Sequence, residues 1–330
     1  AYEITRQNLS QKDREIEGLI LLNHGIFTFG NSAKISYERM INIVREANNF
    51  LKRKVNLKLK TKIDSTTINH DLISLLPYLR GMVGRKSFQY GSRKNLVFSI
   101  RNNENIKELL DNQKLMDLIN RGVATPDHVI RTKAYPFFVK PLNSNKKYDV
   151  KSISDWINNL NIDLEKYIFE YKKYFKKNNT RVGGTKKELD PIPKLLIFPG
   201  IGLIGIGSSK KSADIVADIG ETWIETVLSA ESIKEFKPVS ESDTFDLEYW
   251  SLEQAKLSNQ RFNSFSGKIV LITGGAGVIG SQIAEDFRKL GAEIILLDIS
   301  KDSLLKQKHH FGNEVTTFKC DLTNKIEIEN

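Results

Sequence analysis

The chain alternates between two patterns of apolar and polar positions. Short continuous apolar runs, typical of strands buried on both faces, occur at 195–198, 269–272 and 294–297. Other segments repeat their apolar residues every three or four positions, which predicts amphipathic helices. These segments cover 35–54, 71–80, 105–119, 151–180 and the residues from 208 onward. Because strands and helices alternate along the chain, the pattern predicts an α/β fold.

The most complete unit lies at the C-terminal end of the chain. Its first apolar run is followed by Gly275, Gly277 and Gly280 in the spacing G-x-G-x-x-G, and then by a helical segment that ends at Gly291. A second apolar run ends at Asp298. This order of strand, glycine-rich turn, helix, strand and acid predicts the first half of a Rossmann doubly wound parallel sheet.

The glycine-rich turn suits a dinucleotide. Its first glycine permits a tight turn, the second lets the backbone approach a pyrophosphate, and the third lets the helix pack on the strand. The helix N-terminus offers unpaired N–H groups and the positive end of its dipole to the phosphates. Asp298 follows Gly280 by 18 residues, where a carboxylate can accept hydrogen bonds from a ribose diol and repel a 2′-phosphate. We therefore expect NAD as the cofactor.

A strand–turn–helix unit occurs twice in the sequence. When Gly207 is placed under Gly30, Ser209 falls under Ser32, and both serines stand where a helix N-cap is expected. This alignment predicts an internal repeat.

His24 is the candidate metal ligand in the first copy. It ends an apolar run beside a glycine, and imidazole is the commonest metal ligand in proteins. A histidine that only shapes a turn would have the same surroundings, so the pattern alone leaves both interpretations open. Ile201 occupies the equivalent position of the second copy, which predicts that this copy has no metal site.

A second candidate site lies within TPDHVIRTK, residues 125–133. His128 beside Asp127 has the form of a base oriented by a carboxylate. A strand-entry turn at Pro126 accounts for the same residues at least as well, and both interpretations stay open.

Composition and net charge limit the classes of partner that are expected for the protein. The 330 residues are enough for two or three domains, and the net charge is +10. The basic excess is spread over short lysine clusters without aromatic stacking platforms, so we expect no nucleic-acid partner. The single cysteine, Cys320, fits a reducing cytoplasm and excludes a disulfide framework. No apolar run approaches the roughly 18 residues of a membrane-spanning helix, so we expect no membrane association.

Five motifs together resemble one protein family. In order they are NHGIFTFG, ATPDHVIRTK, PGIGLIGIG, EYWSLEQAKL and TGGAGVIG. This order resembles the bifunctional class II aldolase/short-chain dehydrogenase proteins of the rhamnulose-1-phosphate aldolase/alcohol dehydrogenase type, over essentially the whole chain. The resemblance implies a cytoplasmic sugar-catabolic enzyme. Its aldolase half would use zinc to cleave a ketose 1-phosphate to dihydroxyacetone phosphate and lactaldehyde, and its dehydrogenase half would act with NAD. We also expect a homo-oligomer.

The resemblance gives His24 the role of a zinc ligand. The other ligands of the family, a His-x-His pair and a glutamate, would lie before Ala1. In the second copy Arg131 and Lys133 stand where the paired histidines would be, within a strand expected at 129–135. Two cations cannot ligate zinc, so these side chains could instead hold an anion such as a substrate phosphate.

The resemblance also enlarges the predicted cofactor site. A TGxxGxxG pattern surrounds the glycine-rich turn, and an Asp-Leu pair after the third strand would contact adenine. The expected cofactor-binding residues are Thr273, Gly274, Gly275, Gly277, Val278, Ile279, Gly280, Asp298, Ile299, Asp321 and Leu322. No tyrosine follows Tyr249, so the catalytic Tyr-x-x-x-Lys of such dehydrogenases is absent and no catalytic residue is predicted.

Four segments are expected. Residues 1–60 would be the C-terminal piece of a class II aldolase domain, and 61–240 a second, metal-less aldolase-like domain. Residues 241–266 would form a linker, and 267–330 the N-terminal half of an NAD-binding Rossmann domain. The chain starts at Ala1 in the middle of a pattern and ends just after a third strand, so both ends are expected to be cuts through a longer protein.

Two other interpretations compete with a bifunctional enzyme. The aldolase-like part would be a non-catalytic assembly module joined to an NAD-binding domain, or the dehydrogenase part would be an extended, epimerase-like member. The second alternative draws on Val278, which stands where the commonest short-chain pattern has a glycine. An upstream His-x-His and a downstream Tyr-x-x-x-Lys would support the bifunctional enzyme.

Overall fold

A computed structural model describes residues 16–21, 25–54, 70–92, 94–125, 128–142, 149–255 and 263–329. They form three sheets, which divide the chain into an N-terminal segment (16–54), a central unit (70–255) and a C-terminal unit (263–329). The architecture is the α/β one that the sequence predicts. Within these ranges no helix is both long and apolar enough to cross a membrane.

The N-terminal segment is a hairpin followed by a helix. Strand β1 (Gly18–Leu21) pairs antiparallel with β2 (Gly25–Thr28), and helix α1 (Ala33–Lys54) follows. The Ile35 N–H donates to Ser32 Oγ at 3.3 Å, so the predicted N-cap is confirmed.

The central unit is a four-stranded sheet with helices on both faces. Its strand order is β3-β6-β5-β4, in which only the β4–β5 pair is parallel. In chain order the elements are α2 (His70–Ile73), α3 (Leu76–Gln89), β3 (Val97–Arg101), α4 (Glu104–Leu110), α5 (Leu115–Ile119), α6 (Val129–Thr132), β4 (Phe137–Phe138), α7 (Val150–Arg181), β5 (Leu195–Phe198), β6 (Gly202–Gly207), α8 (Lys210–Ile233), α9 (Glu241–Glu248) and α10 (Ser251–Ala255).

Alternation along β5 divides its side chains between two cores. Leu196 and Phe198 enter the apolar cluster formed with α3 and α7. Leu195 and Ile197 enter the cluster on the other face, formed with α4, α5 and α8, where the Trp223 Nε1–H donates to the Gly122 carbonyl at 2.9 Å. Full burial of each such aliphatic or aromatic side chain contributes about 1.5–3 kcal/mol. The sheet is therefore stabilised from both faces, as its continuous apolar run predicts.

The predicted internal repeat is confirmed in the register of the two hairpins. Gly18 faces Thr28 in the first hairpin, and Leu195 faces Gly205 in the second, which is a shift of 177 residues for both members of the pair. Helices α1 and α8 begin with the same shift.

The two copies differ in burial. Ile20 is 67% exposed, whereas Ile197, its counterpart, is fully buried. In the central unit β4 pairs with β5 and β3 pairs with β6, whereas β1 and β2 pair only with each other among the described residues. The same local pattern therefore reaches a closed core only where neighbouring strands and helices cover it.

The strand predicted at 129–135 is wrong. Residues Val129–Thr132 form helix α6, and the strand beside β5 is Phe137–Phe138 instead. Lys133 ends the helix with a φ of +66°, a left-handed conformation that L-residues seldom adopt. A short apolar run fits one turn of helix as well as a strand, so the sequence could not distinguish them.

Two other expected boundaries also differ. The helix expected over 105–119 is divided into α4 and α5, because Asn112 Oδ1 accepts the Lys114 N–H at 2.8 Å and closes a turn between them. The interval 241–266, expected to be a linker, contains α9 and α10, and Phe245 within it is fully buried. Its first part therefore packs into the central unit.

The C-terminal unit is a three-stranded parallel sheet in the order β7-β8-β9. Gly291, with a φ of +87°, follows the first helix, as predicted. The predicted first half of a Rossmann sheet is confirmed. The elements are β7 (Ile269–Thr273), α11 (Val278–Lys289), β8 (Glu293–Asp298), α12 (Lys301–Phe311), a 3-10 turn (Gly312–Glu314), β9 (Val315–Lys319) and α13 (Lys325–Glu329).

Candidate functional site

Three strand ends of the C-terminal unit meet at one edge of its sheet. Strand β7 ends at Thr273, β8 at Asp298, and β9 just before Cys320. The Cys320 N–H donates to the Asp298 carbonyl at 3.0 Å, which holds the second and third ends side by side. Open α/β sheets bind ligands at this carboxyl edge. The expected cofactor-binding residues all lie on the segments that leave these three strands.

Gly274 and Gly275 open the glycine-rich loop between β7 and α11, and each is a glycine for a different reason. Gly274 has a φ of +61°, and a Cβ built on it would meet no atom within 4 Å. The Gly275 N–H donates to the Leu297 carbonyl at 3.0 Å, and a Cβ there would lie 2.9 Å from the Ile272 carbonyl oxygen. Gly274 therefore faces open space, while Gly275 fixes the loop to the sheet.

Gly280 is packed too closely to carry a side chain, whereas Gly277 has space around it. A Cβ on Gly280 would lie 2.3 Å from the Gly274 carbonyl oxygen, so only glycine lets α11 pack this closely on the loop. A Cβ on Gly277 would meet only that same oxygen, at 3.3 Å. Gly277 thus leaves a hollow over the loop, which fits the close approach of a pyrophosphate.

The start of α11 is open to an anion. Gly277 is its N-cap and has no side chain, so the N–H groups of the first turn have no side-chain acceptor there. Val278 and Ile279 in that turn are 89% and 77% exposed. An anion at this position would accept the N–H groups and interact with the helix dipole. The residues present therefore fit the phosphates of a dinucleotide.

Asp298 is held against the glycine-rich loop. Its Oδ2 accepts the Ala276 N–H at 3.1 Å and its Oδ1 accepts the Ser300 N–H at 3.0 Å. A carboxylate offers about four lone-pair positions, so acceptor capacity remains for two hydroxyl donors. The exposed side chain of Ile299 follows directly. This arrangement suits a diol bound beside the loop.

Asp321 and Leu322 follow the third strand. Asp321 Oδ1 accepts the Thr323 N–H at 2.9 Å and the Thr323 hydroxyl at 2.7 Å. The side-chain and backbone hydrogen bonds from Thr323 lower the pKa of the Asp321 carboxyl. Asp321 is therefore an ionised acceptor at neutral pH, and the exposed Leu322 lies beside it. Both residues lie on the segment that leaves the carboxyl end of β9.

The central unit shows no metal site among its described residues. No group of three or more His, Cys, Asp or Glu that could hold an ion occurs in the part of the chain that the structure describes. Ile201, the counterpart of His24, is buried in the apolar cluster beside α7. His24 lies outside the described residues, as do Pro126 and Asp127.

Lys133 is the centre of a buried polar network that sequence reasoning did not identify. Its Nζ donates to Tyr171 OH at 2.9 Å and to Glu248 Oε1 at 3.1 Å. The Tyr171 hydroxyl donates to the same Glu248 oxygen at 2.9 Å, and the Tyr174 hydroxyl donates to Glu248 Oε2 at 3.1 Å. The network joins α6, α7 and α9. No local signal marks it, because its members lie far apart in the sequence.

Burial shifts the pKa values of the groups in this network. It lowers the pKa of Lys133, and the neighbouring Glu248 carboxylate opposes that shift. Burial, followed by the charge of Glu248, raises the pKa of Tyr171. The Lys133 ammonium is paired with the Glu248 carboxylate at 3.1 Å inside the protein. The ion pair with Glu248 argues against the anion-binding role that the sequence left open for Lys133 and Arg131.

Family comparisons divide the chain between residues 257 and 268, where the structure separates the central unit from the C-terminal unit. A model described as "Aldolase class II, second domain" matches residues 70–257, and one described as "short chain dehydrogenase" matches residues 268–330. The Bacillus subtilis (strain 168) protein "Uncharacterized oxidoreductase YuxG" is 25% identical over 325 residues, which are 95% of this chain and 45% of that protein. The chain thus spans less than half the length of this relative.

Shorter matches fall on part of the chain only. Short-chain dehydrogenase reductase 5 of Arabidopsis thaliana is 36% identical over 75 residues, which are 22% of this chain and 28% of that protein. The 3beta-hydroxysteroid dehydrogenase 2 of Eggerthella lenta is 32% identical over 77 residues, 22% of this chain and 30% of that protein.

Proposed function

The chain belongs to the class II aldolase second-domain family and continues into a short-chain dehydrogenase segment, and we propose that its C-terminal unit binds NAD for a dehydrogenase reaction. The observation that carries this proposal is the position of Asp298. Its carboxylate is fixed beside the open, glycine-rich loop and keeps acceptor capacity for a diol.

Each part of the proposed site has a separate task. The hollow at Gly277 admits the pyrophosphate, and the N-terminus of α11 binds its charge. Asp298 accepts hydrogen bonds from the ribose diol and repels the 2′-phosphate of NADP. Asp321 and Leu322 contact the adenine. The bound cofactor supplies the hydride-transfer chemistry.

Replacing Asp298 with alanine is expected to weaken NAD binding about 10- to 100-fold. Hydrogen bonds to a charged group contribute about 1.5–3 kcal/mol, and the variant loses those of the ribose diol. Because the repulsion of a 2′-phosphate is also lost, the preference for NAD over NADP should fall. Isothermal titration calorimetry with both cofactors measures the two effects.

The matched control for this experiment is Asp286→Ala. Asp286 lies on α11 and accepts a hydrogen bond from Gln282 at 3.1 Å, away from the loop. This variant should bind NAD like the parent protein. Equal affinities for the Asp298 variant and the parent, or no NAD binding by the parent, would contradict the proposed site.

For the whole protein, we propose zinc-dependent cleavage of a ketose 1-phosphate of the rhamnulose 1-phosphate type, in a cytoplasmic homo-oligomer. The class II aldolase family match and the His24 motif support this proposal. The described residues of the central unit contain no group of three or more His, Cys, Asp or Glu that could hold an ion, so no catalytic step is assigned to it. Zinc content and aldol cleavage, both measured on the whole protein, test the proposal.

A non-catalytic role of the central unit is the second candidate. Two observations favour it. Ile201, at the position equivalent to the candidate metal ligand His24, is part of the apolar core, and the Lys133 ammonium is paired with the Glu248 carboxylate. Such a module would bind no ketose 1-phosphate. Calorimetric titration of the chain with rhamnulose 1-phosphate should then give no signal, and saturable binding would exclude this candidate.

A further inference from the structure

Two contacts that involve main-chain atoms join the described parts of the central and C-terminal units. The Lys210 N–H, at the first position of α8, donates to Glu293 Oε1 at 2.5 Å. Gly267 has a φ of +78°, and a Cβ built on it would lie 2.4 Å from the Asn95 carbonyl oxygen. Gly267 is itself buried although it stands just before the first strand of its unit. A larger residue could not approach Asn95 so closely.

The Glu293 contact completes a helix cap that the central unit supplies only in part. The first N–H groups of any α-helix have no acceptor within the helix. Ser209 Oγ accepts the Ser212 N–H at 3.2 Å, but the Lys210 N–H is bonded by the other unit. The Glu293 carboxylate also brings negative charge to the positive end of the long helix α8. The cap is therefore shared between the two units.

The surroundings of Glu293 are polar and partly buried. Lys210 Nζ pairs with Asp214 Oδ2 at 2.6 Å on one side, and Arg288 pairs with Glu314 at 2.5 Å on the other. Burial raises the pKa of the Glu293 carboxyl, and the Lys210 N–H and charge oppose this shift. The hydrogen bond to the helix thus keeps an acceptor in a place where a carboxylate alone is penalised.

The contact lies at the opposite end of β8 from the proposed cofactor site. Glu293 begins this strand and Asp298 ends it. Five steps of about 3.3 Å separate them by about 17 Å. Because the strands are parallel, the amino edge of the sheet carries the contact with the central unit and the carboxyl edge carries the nucleotide-binding loop.

We infer that the amino edge of the dehydrogenase sheet is a docking surface for the central unit, and that Glu293 fixes it there by capping α8. The partner of this surface is the first turn of α8 together with the Asn95 carbonyl. Docking at this edge leaves the nucleotide-binding edge uncovered. The described contacts of the central unit thus lie away from the cofactor site, and we expect the two units to be joined without sharing a site.

Hydrogen–deuterium exchange of the first-turn amides of α8 tests this inference on the full chain. Glu293→Ala should accelerate exchange of the Lys210 amide about fivefold to tenfold, as expected for the loss of a helix cap, while the Ser212 amide keeps its bond to Ser209 Oγ. Glu293→Gln keeps a side-chain oxygen acceptor and should retain most of the protection. Gly267→Ala should accelerate exchange of the Lys210 amide, because its methyl group separates the two surfaces.

Glu314→Ala is the matched control, since it removes a nearby carboxylate that does not bond α8, and it should leave these amides protected. NAD affinity should be unchanged in the Glu293 variants, because the contact is at the opposite end of β8. Unaltered protection in Glu293→Ala would overturn the inference. Loss of NAD affinity in Glu293→Ala would also overturn it, whereas the proposed cofactor site is tested separately by Asp298→Ala.

Discussion

Replacing Lys133 with alanine is expected to lower the free energy of unfolding of the central unit by about 3–5 kcal/mol, because it leaves a buried carboxylate without its cation. The Lys133 side chain is 7% exposed and that of Glu248 is 1% exposed, and their charged atoms are 3.1 Å apart. Water cannot replace the lost partner at that depth.

Urea denaturation followed by tryptophan fluorescence measures this loss. Trp156 and Trp223 are buried in the two cores of the central unit and report its unfolding. Lys140→Ala is the control, because Lys140 is 66% exposed in its ion pair with Asp163 and should cost no more than about 1 kcal/mol. A Lys133 variant as stable as this control would contradict the prediction.

Two further variants separate charge from backbone strain at Lys133. The φ of +66° costs a side-chain-bearing residue about 1–2 kcal/mol, which glycine avoids. Lys133→Gly should therefore be more stable than Lys133→Ala, although both lose the ion pair. The double variant Lys133→Met/Glu248→Met removes both charges and should recover part of the stability, since the Tyr171 and Tyr174 hydroxyls then lose their Glu248 acceptor.

Alanine at Gly280 should lower stability more than alanine at Gly277, whereas alanine at Gly277 should weaken NAD binding. At Gly277 a Cβ meets only one oxygen, at 3.3 Å, so the unliganded fold should change little. The methyl group would still fill the hollow where the pyrophosphate approaches, and NAD affinity should fall at least about tenfold. At Gly280 the Cβ would lie 2.3 Å from the Gly274 carbonyl oxygen, and this overpacking should cost about 1–3 kcal/mol.

Calorimetric NAD titration and thermal unfolding of both variants check this contrast. Gly312→Ala is a control for the general effect of alanine at a glycine, because nothing lies within 4 Å of its Cβ and it stands at the opposite edge of the sheet from the loop. Its φ of +62° makes a loss of stability expected, but NAD binding should be retained. NAD binding of parental strength by Gly277→Ala would contradict the proposed position of the pyrophosphate.

The sequence determined those features of this protein that local pattern encodes. The strands of the C-terminal unit, its glycine-rich loop and the acid at Asp298 follow from residue order over about thirty positions. The burial of β7 on both faces, which its apolar run predicts, is wrong, because Ile269 and Leu271 are 47% and 56% exposed. The internal repeat follows in the same way, and the shift of 177 residues read from the sequence reappears in the strand register. Strand–turn–helix units carry this information because their hydrogen bonds and caps join residues close in sequence.

Only the tertiary structure decided what depends on distant partners. Residues 129–132 form a helix and not the expected strand, since β5 is paired by Phe137–Phe138 instead. Lys133 meets Glu248 across 115 positions, and Lys210 meets Glu293 across 83. Ile20 and Ile197 have equivalent local sequence, yet one is exposed and the other buried. The physical reason is that burial and charge pairing are properties of the neighbours that packing supplies, and these neighbours leave no period in the local sequence.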